Sequence, residues 1–105
     1  MPGHNVYVVE LSRDVLLERG FAAANPQHRA DKPCVYVGMT GLQPEERFAN
    51  HKRGYRASRL VKKYGVRLRP RLYSSLNPMS YDAAVEMERH LASKLRKRGY
   101  AVWQN

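Results

Sequence analysis

Short apolar runs separated by polar punctuation organise this chain. Asn5–Leu11 (Asn-Val-Tyr-Val-Val-Glu-Leu) and residues 33–39 (Pro-Cys-Val-Tyr-Val-Gly-Met) are dense in β-branched and aromatic residues, which predicts two strands. Between them, Ser12 is placed to cap a short helix reaching Arg19, with Gly20 near its end, and residues 21–32 read as a loop. Pro44 at a first helical position, followed by Glu45 and Glu46 in the positive first turn, starts a helix that Gly54 stops. A further helix runs from Ser58 to Tyr64, before Gly65. Residues 66–76 alternate apolar and basic side chains, which predicts a half-buried strand, with Pro70 marking an edge or a bulge. Ser80 caps the longest helix, which extends to Arg98 and ends at Gly99, and residues 100–103 form a short closing strand.

Charge changes this picture. The 105 residues carry 19 Lys and Arg against nine Asp and Glu, for a net charge of +10 with His neutral. A chain of this length makes one domain with a core large enough to fold without disulfide or metal staples. Its 43% hydrophobic and 27% charged residues are the balance of a globular protein and exclude a disordered or collagen-like one. The excess charge is uneven: residues 1–46 carry −2 and residues 47–105 carry +12. Ten cations (Arg47, Lys52, Arg53, Arg56, Arg59, Lys62, Lys63, Arg67, Arg69 and Arg71) fall in a stretch without a single acid. Phe48, Tyr55, Leu60, Val61, Tyr64 and Leu68 interleave with them, so the stretch is expected to fold. A folded basic surface with aromatics suits a polyanion, nucleic acid first and an anionic membrane surface second. The single Cys34 cannot close an internal disulfide, no apolar run approaches a bilayer span, and the first residues lack a signal-peptide pattern. These features set the expectation of a cytoplasmic protein.

Three groups of residues carry candidate chemistry. On the helix after Ser80, Ala84, Val85, Leu91, Ala92 and Leu95 share a stripe at helical spacing, and Glu88 lies near its centre while Glu86 projects to the opposite side. A carboxylate in an apolar stripe is costly without a cation or donors, so Glu88 is paired with one of the many Arg residues, reaches out from the stripe's edge, or serves as a metal ligand or general base. Arg47 and His51, four apart on the Pro44 helix, point the same way and can meet one anion together. Tyr7 and Tyr36, each between two Val residues, are out of phase with those neighbours, so both hydroxyls face away from the Val side. The four His and one Cys show no zinc spacing, and neither a glycine-rich phosphate cradle nor a Gly-x-Ser-x-Gly motif occurs.

In order, these residues resemble the GIY-YIG endonuclease family. Val6-Tyr7-Val8 stands at the first tripeptide and Tyr36-Val37-Gly38 matches the second. Thr40 and Gly41 lead to Arg47-Phe48-x-x-His51-x-x-Gly54, similar to the family's arginine helix. Ala84-x-x-x-Glu88-x-x-Leu91 resembles the helix supplying its metal-binding glutamate, and Asn105 corresponds to the asparagine that often closes the domain. The first tripeptide lacks a leading Gly, Met39 stands where some members carry Lys, and residues 12–32 form an insertion between the first two strands.

The resemblance implies an α/β (α+β) fold over residues 1–105, with a small, mainly antiparallel sheet of about three strands flanked by helices. It implies hydrolysis of a DNA phosphodiester with one divalent cation, Mg²⁺ or another such as Mn²⁺, held by Glu88. Arg47 would stabilise the transition state, Tyr7 or Tyr36 would orient or deprotonate the attacking water, and His51 would share a proton with a tyrosine or hold the phosphate. Gly38, Lys52, Arg53, Arg56, Arg59, Lys62 and Lys63 form the expected nucleic-acid contact set, and a partner protein is the expected source of specificity. Two other readings fit the same sequence: a basic nucleic-acid-binding module on this scaffold without turnover, and a basic protein docking on an acidic partner or a membrane.

Overall fold

Asn5–Leu11 forms β1, which pairs antiparallel along its whole length with β2 (Cys34–Thr40), from Asn5 opposite Thr40 to Leu11 opposite Cys34. The computed structural model describes residues 2–104. β3 (Gly65–Leu68) pairs antiparallel with the other side of β1, and β4 (Ala101–Gln104) pairs parallel with β2, giving the order β3-β1-β2-β4. Val6, Tyr7, Val8 and Val9 are all at most 1% exposed, so β1 is covered on both faces. That is why it reads as a continuous apolar run instead of an alternation.

Four helices flank the sheet: α1 (Arg19–Ala23), α2 (Pro44–Arg53), α3 (Arg59–Tyr64) and α4 (Tyr81–Lys97), an α+β fold. α2 starts on Pro44 and closes on Gly54 in the left-handed region at φ 87°. α4 is capped by Ser80, whose Oγ accepts from the Ala83 N–H at 3.1 Å. Ala84, Glu88, Leu91, Ala92 and Leu95 are its buried positions, as the stripe predicts. Among the described residues no helix is long and apolar enough to cross a membrane.

Two segments depart from the sequence expectation, and the sheet has one strand more than the resemblance implies. Residues Arg13–Leu17 form a 3₁₀ turn and the helix begins only at Arg19, inside the segment that reads as helix end and loop. Val15 and Phe21 from this segment are buried, with Phe21 6.3 Å from the Trp103 ring, so residues 12–32 are docked on the sheet's β4 side and on α3. The strand predicted over residues 66–76 stops at Leu68: Pro70 has no N–H to donate and its fixed φ starts the 3₁₀ turn Pro70–Leu72. The sheet also has four strands, not about three, since the closing segment joins it beside β2.

Two asparagine side chains extend the sheet where no strand reaches. Asn25 Oδ1 accepts from the Val102 N–H at 2.7 Å while its Nδ2 donates to Val102 O at 3.1 Å and Phe21 O at 2.9 Å. Asn77 treats Val6 the same way, accepting from its N–H and donating to its carbonyl, both at 2.8 Å. Each amide replaces a missing ladder partner for a buried backbone. In Asn25→Ala, Val102 O keeps its bond from Arg96 but the buried Val102 N–H loses its acceptor. Urea unfolding of that variant is expected to show a loss of about 2 kcal/mol; an unchanged midpoint would contradict this role.

Candidate active site

Register brings the two tyrosines together. Tyr7 lies opposite Gly38 and Tyr36 opposite Val9, so Tyr7, Tyr36 and Gly38 share one face of the sheet while Val6, Val8, Val35 and Val37 take the other. The rings are 6.2 Å apart and both residues are buried. Gly38 makes the space: a Cβ there would sit 2.6 Å from Tyr7 Oη, 2.7 Å from Tyr7 Cζ and 3.0 Å from Tyr36 Cε1. Gly38 is buried and packs beneath the Tyr7 phenol, which leaves it no exposed surface for the nucleic-acid contact expected of it.

α2 crosses this face and inserts His51, which is fully buried. Its ring lies 6.0 Å from Tyr7 and 5.7 Å from Tyr36, and its Nε2 is 2.8 Å from Tyr7 Oη. On the other side of the ring, Nδ1 accepts from the backbone N–H of Ser58 at 2.9 Å. A nitrogen that accepts from an amide carries no proton, so the neutral ring bears its proton on Nε2 and donates it to the Tyr7 hydroxyl. Burial, with the Arg47 charge adding to it, lowers the His51 pKa to about 4, which keeps this tautomer neutral near pH 7.

Arg47, one turn earlier, is half-buried and held by the link between α2 and α3: Nη2 donates to Arg56 O at 2.9 Å and Nη1 reaches Tyr55 O at 3.5 Å. Burial pushes both tyrosine hydroxyls above their usual range; the Arg47 charge opposes this at each, and the Glu88 charge adds to the rise at Tyr36. Arg47 therefore acts electrostatically on both phenols and Glu88 on Tyr36.

Glu88 is 7% exposed, yet among the described residues no cation pairs with it and no donor hydrogen-bonds it. Burial raises its pKa, with Arg89 opposing. Glu86, by contrast, is exposed and paired with Arg89 at 3.3 Å, on the opposite side of α4 as its spacing predicts. The residue is largely buried but its unpaired carboxylate oxygens keep solvent access, which fits a hard divalent cation that keeps most of its waters, although no group of three or more metal-binding side chains gathers among the described residues. Asn105 lies outside the described residues.

The basic contact set is divided by the fold. Glu18 of the 12–32 segment pairs with Arg59 at 2.9 Å and Lys63 at 3.7 Å and accepts from the Tyr64 hydroxyl at 2.7 Å. Glu10 meets Arg67 at 3.5 Å and Arg69 at 2.9 Å. Lys52 donates to Lys62 O and Gly65 O at 3.1 and 2.9 Å, and Arg53 donates to Asn50 Oδ1. Arg56 and Lys62 are exposed without an ion pair among the described residues. The largely acid-free stretch in sequence is thus partly neutralised in space by acids from the other half of the chain.

Two clefts flank α4 and α2. One of about 310 Å³, between α4 and residues 71–76, is lined by none of Tyr7, Tyr36, Arg47, His51 or Glu88. The other, about 430 Å³, is lined by Thr40, Leu42, Arg47, Asn50, Tyr55 and Arg56. The Ser58 amide that sets the His51 tautomer had no signal as a site feature in the sequence, whereas Tyr55 stood out only as one of the aromatics interleaved with the basic stretch. Compared with protein-family models, curated proteins and solved structures, the chain matches none.

Two expectations follow from this geometry. His51 binds its proton less readily folded than unfolded, so the unfolded chain takes up more protons between pH 6.5 and about 4 and the His51 contribution to stability is lost as pH falls through that window. Thermal melts of the protein and of His51→Gln are expected to converge as pH is lowered from 7 to 4; a constant gap would contradict the buried neutral ring. Gly38→Ala, which forces a methyl against Tyr7, is expected to cost about 1–3 kcal/mol in chemical denaturation, and no loss would contradict the close approach.

Proposed function

We propose that this protein is a divalent-metal-dependent endonuclease of the GIY-YIG type that hydrolyses DNA phosphodiester bonds. The observation that carries the reading is the joint placement of Tyr7, Tyr36, His51 and Arg47 on one face, with the unpaired carboxylate of Glu88 close enough to raise the Tyr36 pKa. Those five residues are the ones whose order resembles that family.

Glu88 would hold the metal, which when bound supplies charge neutralisation at the phosphate and at the leaving oxygen. The remaining roles belong to the chain itself. His51 donates Nε2–H to Tyr7 Oη, so it does not take the tyrosine proton; it holds the oxygen in place and stabilises it as a phenolate. Tyr7 would then accept a proton from the attacking water only as the phenolate, its own proton having first left to solvent, with His51 stabilising that anion. A buried phenol resists ionisation, and the positive charge of Arg47 opposes that resistance. Arg47 also offers a forked guanidinium to the charge that grows on the phosphoryl oxygens. Tyr36 has no hydrogen bond from His51 and packs against both partners, which suits orientation more than proton transfer.

A second reading, a nucleic-acid-binding module without turnover, is favoured by one observation: Tyr7 is 1% exposed and its hydroxyl is pushed well above its usual range. Nicking of supercoiled DNA with Mg²⁺ separates the two. Tyr7→Phe is expected to lose roughly 10²-fold or more and Tyr36→Phe less, with Glu86→Ala unchanged; equal, undiminished cleavage by all three would contradict the assignment. Glu88→Gln is expected to abolish nicking while raising the thermal midpoint, because it removes an unpaired charge from a largely buried residue. Loss of both activity and stability would instead make Glu88 a structural residue.

A further inference from the structure

Tyr55 is 56% exposed and stands beside Arg47 on the link between α2 and α3. The link is held from three sides. The Tyr55 N–H donates to Asn50 O at 2.9 Å, the carbonyls of Tyr55 and Arg56 receive the Arg47 guanidinium, and the Ser58 N–H is fixed by His51. Arg56 takes a left-handed backbone at φ 48°, a conformation that costs a non-glycine residue about 1–2 kcal/mol and persists only where surrounding bonds impose it. An exposed aromatic ring is therefore carried on an ordered support next to the residue proposed to meet the phosphate.

The cleft at this position is an open surface depression of about 430 Å³. Tyr55 gives it a flat ring, Leu42 (40% exposed) an apolar wall, and Arg47 and Arg56 two guanidinium groups, while no acid lines it. The Arg56 guanidinium carbon lies 5.6 Å from the centre of the Tyr55 ring, so a planar cation accompanies the phenol. A flat apolar ligand bearing a negative group satisfies all four side chains. In nucleic acid that ligand is a nucleotide, its base against the ring and its phosphate against Arg47. A base inside a duplex already has neighbours on both faces and cannot reach a side chain this way.

We propose that this cleft binds one unpaired nucleotide, stacked on Tyr55, so that the protein prefers nucleic acid that is single-stranded or frayed beside Arg47. The proposal rests on the nucleic-acid reading of the site and adds the strand state of the substrate. The ring supplies base-dependent affinity, whereas the surrounding cations supply affinity for any phosphate chain.

The test is fluorescence polarisation in EDTA with one short labelled oligonucleotide used three ways: single-stranded, annealed to its complement, and as an abasic strand of equal length and charge. The protein is expected to bind the single strand roughly tenfold or more tighter than the abasic strand, and tighter than the duplex. Tyr55→Ala is expected to erase the difference between normal and abasic strands, and Tyr55→Phe to keep it. Equal affinity of the unaltered protein for normal and abasic strands, a preference for duplex, or an unaffected Tyr55→Ala variant would overturn the proposal. A contribution of the cations alone, as for an acidic peptide, gives that first result. Because the assay holds no metal and reads binding, a Tyr55-dependent preference without cleavage of any DNA would overturn the nuclease reading alone. Cleavage with no Tyr55 dependence would overturn this inference alone.

Discussion

The 2.8 Å contact between Tyr7 Oη and His51 Nε2 is the constraint around which the site is arranged. Burying a phenol and an imidazole together is costly unless each polar atom has a partner, and here each partner fixes another part of the structure. Gly38 has no side chain because Tyr7 occupies the space above it. His51 needs an amide for Nδ1, so the chain after α2 must turn back to present Ser58. That return passes through Gly54 and the left-handed Arg56, and it brings the carbonyls that anchor Arg47. One buried hydrogen bond thereby couples the sheet, α2 and the start of α3, and it sets the proton arrangement that makes Tyr7 the acceptor in the proposed chemistry.

Electrostatics separate the ion-paired acids from the one left unpaired among the described residues. In a chain with 19 Lys and Arg, Glu10 and Glu18 each collect two cations, and even the exposed Glu86 finds Arg89. Glu88 is more buried than any of these and has none. No arginine pairs with Glu88 among the described residues, and its carboxylate oxygens reach out from the edge of the stripe, open to water or to an external cation.

Much of this could be read along the chain. β1 lies over the residues that the β-branched run marks, and α4 over those between Ser80 and Gly99, because strand runs buried on both faces and capped amphipathic helices write their own pattern. The phase of Tyr7 and Tyr36 against their Val neighbours was legible for the same reason, as was Glu88 against Glu86. What escaped depends on atoms that meet across long separations. Asn25 and Asn77 look like loop residues and act as strand surrogates for Val102 and Val6. The alternation after Val66 continues past Pro70, but the ladder cannot, and the pattern carries no record of that. The choice between the tyrosines depends on the Ser58 amide, a backbone group that every residue type except proline would offer.

The account stands or falls on which His51 nitrogen carries the proton. Long-range ¹H–¹⁵N correlation spectra of the imidazole in the metal-free protein at pH 7 report this directly. A neutral ring protonated at Nε2, with Nδ1 at the shift of an accepting nitrogen, is the predicted result. An imidazolium, or a ring protonated at Nδ1, would contradict it, since His51 would then no longer hold Tyr7 as the proton acceptor while accepting from Ser58.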